Sequence, residues 1–173
     1  EEVFGRSWVK MGMRTVYDVA HNICKLETHT VDGKKRQVYV HRKGATRAFP
    51  PGHRDVPSVY RNAGQPVLIA GSMGTASYIL AGTDEAMTGS FGSSCHGAGR
   101  SMSRNASLKS FRGEKVREEM EKHGRLVRST GLKILAEEAP GSYKDIDEVI
   151  ESVHGAGISR KVARVVPLGV VKG

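Results

Sequence analysis

Two sets of positions alternate from Ile23 to Val31. Ile23, Lys25, Glu27, His29 and Val31 form one set, and Cys24, Leu26, Thr28 and Thr30 the other. A period of two is the signature of a strand. Residues 14–41 therefore read as strand structure, folded back at "VDGKK" (31–35), where Asp-Gly is the strongest short hairpin signal. "RQVYVH" is the returning arm. "RAFPPGH" (47–53) is a loop, because its prolines remove backbone donors and fix φ. "PVLIAG" (66–71) and "ASYILAG" (76–82) read as short strands around the turn "SMGT". "TDEAMTGSFGSS" (83–94) is polar and glycine-rich and reads as loop. A helix is expected from Gly97 towards Lys109. "GEKVREEMEKHG" (113–124) is a solvated helix with Val116, Met120 and His123 on one face. "TGLKILAEEAPGSY" (130–143) reads as a strand and then a proline-glycine loop. "DIDEVIESVHGAG" (145–157) is an amphipathic helix that aligns Ile146, Val149, Ile150 and Val153, with Gly155 as its stop. "KVARVVPLGVVKG" closes the chain as a strand. Strands come early and helices late, without βαβ alternation. The expectation is an α+β fold with mixed or antiparallel sheets and surrounding helices, in a single domain over 1–173.

Composition narrows the class of partner. The 173 residues carry 27 Lys and Arg against 18 Asp and Glu, a formal charge of +9. Such a balance attracts nucleic acid or nucleotide phosphates. No apolar run approaches the roughly 18 residues that span a bilayer, so no membrane partner is expected. Cys24 and Cys95 are too few for a disulfide framework, and no CxxC is present, which fits a reducing, cytoplasmic setting. The chain opens on Glu-Glu rather than Met, as would a processed product, a truncation or one piece of a cut polypeptide.

The chemistry concentrates in "SSCHGAGRSMSR" (93–104). Four glycine turns, "RKGATR", "AGSMGT", "CHGAGR" and "VVKG", are the kind of backbone that can approach a phosphate, although none is a Walker loop and none is GxGxxG followed by an acidic residue. Ordinary tight turns explain any one of them alone. His96 is flanked by small residues, which makes a core role unfavourable. Arg100 and Arg104 follow at spacings of four, so on a helix the three would line one wall. An imidazole beside two guanidiniums suits attack on a phosphoryl group. The competing reading is a solvated loop histidine beside surface arginines. Cys95 points to the opposite side from His96 on an extended chain, so the two make no catalytic pair. His21, near Asp18, is either a metal ligand or a structural pair. Lys172 lies in a tail apolar enough to be docked.

These blocks, namely "HNICKLE", "VHRKGATRAFPPGH", "GQPVLIAGSMGTASYILAG", "SSCHGAGRSMSR", "EEAPGSYKDIDEVI" and "PLGVVKG", together resemble the carboxy-terminal part of the RtcB family of GTP-dependent RNA-splicing ligases, in its archaeal style. The resemblance covers nearly the whole chain in order. It implies a ligase joining an RNA 2′,3′-cyclic phosphate or 3′-phosphate end to a 5′-hydroxyl, as in tRNA splicing and RNA repair. It implies GTP and Mn2+ as cofactors and RNA as substrate, with archease as an accessory protein. By resemblance His96 is the guanylylated nucleophile, His21 a manganese ligand, and Asn22 a neighbour of the nucleotide. Ala70, Gly71, Ser72, Met73 and Ser77, with Gly97, Ala98 and Gly99, form part of the guanine-nucleotide pocket. Tyr143 is its aromatic wall, Lys172 contacts the base, and Arg100 and Arg104 hold RNA phosphate. The family's larger amino-terminal part, with its remaining metal ligands, has no counterpart in this sequence. The chain is thus expected to be an incomplete portion of a larger domain and inactive alone. It would be a truncated ligase, a fragment completed by a separate amino-terminal chain, or a naturally incomplete homologue. The alternative function is a non-catalytic guanine-nucleotide or RNA-binding module. A basic structural protein would leave the His96 run unexplained.

Overall fold

A computed structural model describes residue 2 and residues 5–173. Strands β1 (Asn22–Val31) and β2 (Lys34–Lys43) form the expected hairpin, in unbroken register from Asn22↔Lys43 to Val31↔Lys34. Asp32 and Gly33 have φ of 51° and 72°, the left-handed pair that a two-residue hairpin turn needs. The strand does not extend back through 14–21. β2 ends opposite Asn22 and the ladder stops there, with one further bond from the Gly44 amide to the His21 carbonyl.

The inner face of the hairpin is charged. Glu27, His29 and Arg42 are all buried. Arg42 donates two bonds to the Glu27 carboxylate, at 2.7 and 2.8 Å, and His29 Nε2 lies 3.0 Å from the same group. Arg42 also donates to Ser93 Oγ and to the Phe91 carbonyl, each at 2.9 Å. Phe91 and Gly92 form a left-handed corner (φ 51° and 62°) that turns this carbonyl inward. One guanidinium thereby ties the hairpin to β6 (Ser93–Cys95), which pairs antiparallel with β3 (Ala45–Arg47).

A three-stranded antiparallel sheet runs in the order β4 (Pro66–Ile69), β5 (Ser77–Gly82), β8 (Ser159–Val165). Val67, Ile69 and Leu80 pack against Ile146 and Ile150 of the expected amphipathic helix α5 (Ile146–Gly155), with Ala48 and Ala86. Asp145 caps α5 by accepting from the amides of Asp147 and Glu148. The left-handed residue that turns the chain away is Gly157 (φ 70°), while Gly155 is still helical. A second core joins Val116 and Met120 of α3 (Gly113–Lys122) to Met73, Leu135, Ala139 and Val127 of β7 (Leu126–Ser129). His123 lies past the end of α3 and is exposed, so it does not share that inner face. β7 pairs in parallel with β9 (Gly169–Lys172). The fold is α+β with mixed sheets, as expected.

Other local expectations fail as well, and the tail is not one strand: β8 and β9 pair in different sheets, with Pro167 between them. Residues 83–94 are not all loop: Thr83 caps α1 (Asp84–Gly89), whose Ala86 is fully buried, and β6 begins at Ser93. The run after Thr130 is α4 (Leu132–Glu137), not a strand. Leu135 and Ala136 bury against α3, and a short apolar run does not reveal its own period. No helix starts at Gly97. Gly99 has φ 75°, outside right-handed helical space, and α2 (Arg104–Ser110) begins only after Ser103, whose hydroxyl accepts from the Ala106 amide. Among the described residues, no helix is long and apolar enough to cross a membrane.

Candidate functional site

His96 follows β6 directly, and His21 immediately precedes β1. Gly44 joins them. Its amide donates to the His21 carbonyl at 3.0 Å, and its own carbonyl accepts from the His96 amide at 3.4 Å. Gly44 sits at φ 68°, and a Cβ there would lie 3.4 Å from His96 Nε2. The two imidazoles stack, with centroids 4.6 Å apart and planes 23° from parallel. Burial, and secondly the charge of His21, push the His96 pKa below the ordinary 6.5. The shift favours the unprotonated ring, the state a nitrogen nucleophile needs. Burial pushes the neighbouring Cys95 thiol up, away from thiolate chemistry.

The end of β4 runs beside His96. The Ala70 amide donates to the His96 carbonyl at 3.1 Å, the Ala98 amide donates to the Ala70 carbonyl at 2.9 Å, and Ala70 and Gly97 form a parallel bridge. The next residues turn tightly. The Gly71 amide donates to Ser77 Oγ at 3.2 Å, and the Ser72 amide to Thr75 Oγ1 at 2.8 Å. A Cβ on Gly71 would fall 1.9 Å from the Ala76 carbonyl oxygen, so only glycine fits. The Met73 side chain is buried in the second core. Asn22 opens β1 opposite Lys43, beside His21.

The remaining residues gather around a carboxylate. Glu138 lies 3.3 Å from Arg100, 3.6 Å from the Lys172 ammonium and 3.8 Å from Arg104, and it accepts a hydrogen bond from the Tyr143 hydroxyl. Burial opposes its ionisation, but the Tyr143 bond and the charges of Lys172, Arg100 and Arg104 outweigh that and hold it below 4.5. Tyr143 moves the other way, raised by burial and by its bond to Glu138. The Arg100 guanidinium stacks over the Tyr143 ring at 5.0 Å, and Arg100 pairs with Tyr143 through an antiparallel bridge. The Lys144 amide donates to the Gly99 carbonyl at 3.0 Å.

His96, Arg100 and Arg104 do not line one helix wall. His96 and Arg100 are in extended or turning chain, and Arg104 is the first residue of α2. Arg100 is closely engaged, donating to the carbonyls of Met102 and Glu137, to Ser107 Oγ and to Tyr143 as well as Glu138. Arg104 pairs with Glu137 and keeps a 69% exposed side chain. The structure thus brings His21 to His96, and Arg100, Arg104, Tyr143 and Lys172 to Glu138. The stretch 97–100 and the 72–75 turn lie between the two groups, the turn packed on Pro140 where a Gly74 Cβ would stand 2.5 Å from that ring. Among the described residues, no cluster of three or more His, Cys, Asp or Glu could hold a metal. His21 supplies one imidazole, and a complete metal centre does not fit these residues alone.

Two residues that organise the site carried little signal of their own. Gly44 was visible only as one glycine turn among four. Glu138 was visible only as one of two acids before a proline.

The family model described as tRNA-splicing ligase RtcB matches residues 1–173. A protein of that name from Thermococcus kodakarensis is 61% identical over 173 residues, all of this chain and 36% of its own length. Its counterpart from Archaeoglobus fulgidus is 58% identical, again over all of this chain and 36% of its own. That from Methanocaldococcus jannaschii is 52% identical over all of this chain and 18% of its own. The chain thus spans about a third or less of the relatives it matches.

Proposed function

Since this chain belongs to the RtcB family, we propose that it is the nucleophile-bearing portion of an RNA ligase, with His96 as the group that is guanylylated. The observation that carries the reading is the His21–His96 stack beside the Ala70–Gly97 bridge, where burial pushes the His96 pKa down. The His96 lone pair attacks the α-phosphorus of GTP. A P–N bond forms and pyrophosphate leaves. An oxygen of the RNA 3′-phosphate then takes the GMP, restoring His96, and the 5′-hydroxyl of the second RNA end displaces GMP to make the phosphodiester. A 2′,3′-cyclic phosphate is first opened by hydrolysis. Glu138 orients Tyr143 and Lys172 at the nucleotide's base end, and the 70–73 main chain passes along it. Mn2+, when bound, polarises phosphate oxygens. His21 would be one of its ligands, and the others would have to come from the part of the relatives that this chain does not match. Arg100 and Arg104 receive the RNA phosphate at the expense of their carboxylate contacts. The same reading makes archease an accessory protein and gives the missing ligands to the part of the relatives that this chain does not match.

The test is intact mass after incubation with GTP and Mn2+, with and without the unmatched part of a relative supplied in trans. A single GMP adduct on His96, present only with the added part and lost in His96→Ala, is the expected result. With the partner bound and both parts folded, absence of any adduct sinks the ligase reading and leaves a binding module.

A further inference from the structure

A cavity of about 490 Å³ opens on the reverse side of the 72–75 turn, between the α2–α3 junction and the loop that leads to Tyr143. It is separate from the His96 pair. Its floor is apolar: Phe111, Val116, Met120 and Pro140. Glycine at 141 is what lets the Phe111 ring lie there, because a Cβ would come 2.8 Å from its Cζ. Its rim is cationic: Arg112, Lys115 and Arg125. Among the described residues none of these three takes part in an ion pair, whereas Arg100 and Arg104 next door are both held by carboxylates. The rim's own acid, Glu119, is paired with Lys122. The local field is therefore an uncompensated positive one around a ring-bearing floor.

We propose that this cavity binds a nucleotide of single-stranded RNA, a base stacked on Phe111 and the flanking phosphates on Arg112, Lys115 and Arg125. An acidic peptide would satisfy the cations but leave the floor uncovered. A base with its phosphates fills both, which is how sequence-tolerant single-strand sites are built. Gly74 and Pro140 are shared between this cavity and the nucleotide turn, so a strand held here lies against the back wall of the ligation site. The choice of RNA over another polyanion rests on the ligase reading above.

The experiment is fluorescence anisotropy of a labelled ten-nucleotide oligouridylate with this chain, across a series of salt concentrations. Lys115→Ala, at an exposed position, should weaken binding several-fold and lower the slope of log affinity against log salt by about 0.7. Phe111→Leu, with its fold confirmed by circular dichroism, should weaken binding about tenfold at unchanged slope. Affinities within twofold of the parent for both variants overturn the proposal. Displacement of the RNA by an equal concentration of oligoglutamate overturns it as well. The GMP adduct on His96 is a separate readout that Lys115→Ala should not change. Its absence in the parent with the unmatched part of a relative bound would sink the ligase reading and leave the anisotropy result standing.

Discussion

Arg42→Met would remove the one cation inside the hairpin. Glu27 would then stay buried with His29 as its remaining partner, because the carboxylate accepts both of its short guanidinium bonds from Arg42. Stranding one charge of a buried pair costs about 3–5 kcal/mol. For a chain of this size each kcal/mol moves the melting temperature by about 2–4 °C, so the expected fall is roughly 6–20 °C. Removing both charges, in Glu27→Leu with Arg42→Met, should recover most of that loss, since no orphaned charge remains. Burial opposes ionisation of Glu27, yet Arg42 and His29 outweigh it and hold the carboxyl below 4.5. A depressed carboxyl pKa contributes stability that is present above the unfolded value and lost as pH falls through the folded one. The advantage of the parent over Arg42→Met should therefore shrink on the acid side. The same guanidinium holds Phe91 and Ser93, close upstream of His96. Loosening it should let the His96 pKa rise towards 6.5. Thermal unfolding at pH 7 and an NMR titration of His96 read the two effects. A fall under about 3 °C, with the double variant no better than the single one, would refute the electrostatic account of this core.

Other outcomes follow from the site geometry. Gly44→Ala must hold φ near 68° with a Cβ, at a cost of about 1–2 kcal/mol, so melting should drop by a few degrees and the imidazole ring-current shifts should change. Unaltered shifts would show that Gly44 does not set the stack. Glu138→Gln should bring the Tyr143 hydroxyl part of the way back towards 10, read by ultraviolet titration. No movement would mean that burial alone raises it. His96 itself should titrate below 6.5. Its depressed pKa contributes stability that is complete above the ordinary imidazole value and lost as pH falls through the folded one, so an acid-side stability loss absent from His96→Ala is expected.

The elements with a clean period were legible in the sequence. The β1–β2 alternation and the stripes of α3 and α5 each repeat over about ten residues, long enough for the pattern to dominate. α1 and α4 have six residues each, under two turns, and their burial depends on what packs above them. The polar triad under the hairpin runs against the usual sense of the pattern, because the inward set includes Glu27 and His29. His96 stood out because its neighbours are small and polar. Its partnership with His21 did not, since it runs through Gly44, more than twenty residues from His21 and more than fifty from His96. Tyr143 came from the family resemblance, Lys172 from its apolar tail as well as from that resemblance, and Glu138 is what places them together.

At Gly44, one residue spends its donor on one histidine and its acceptor on the other. The main chains that carry the two rings are therefore held at a fixed separation through a single residue, as a mortise fixes two beams. The left-handed glycine is not free to change, and any sequence that keeps this pair of imidazoles must pay for it at that one position.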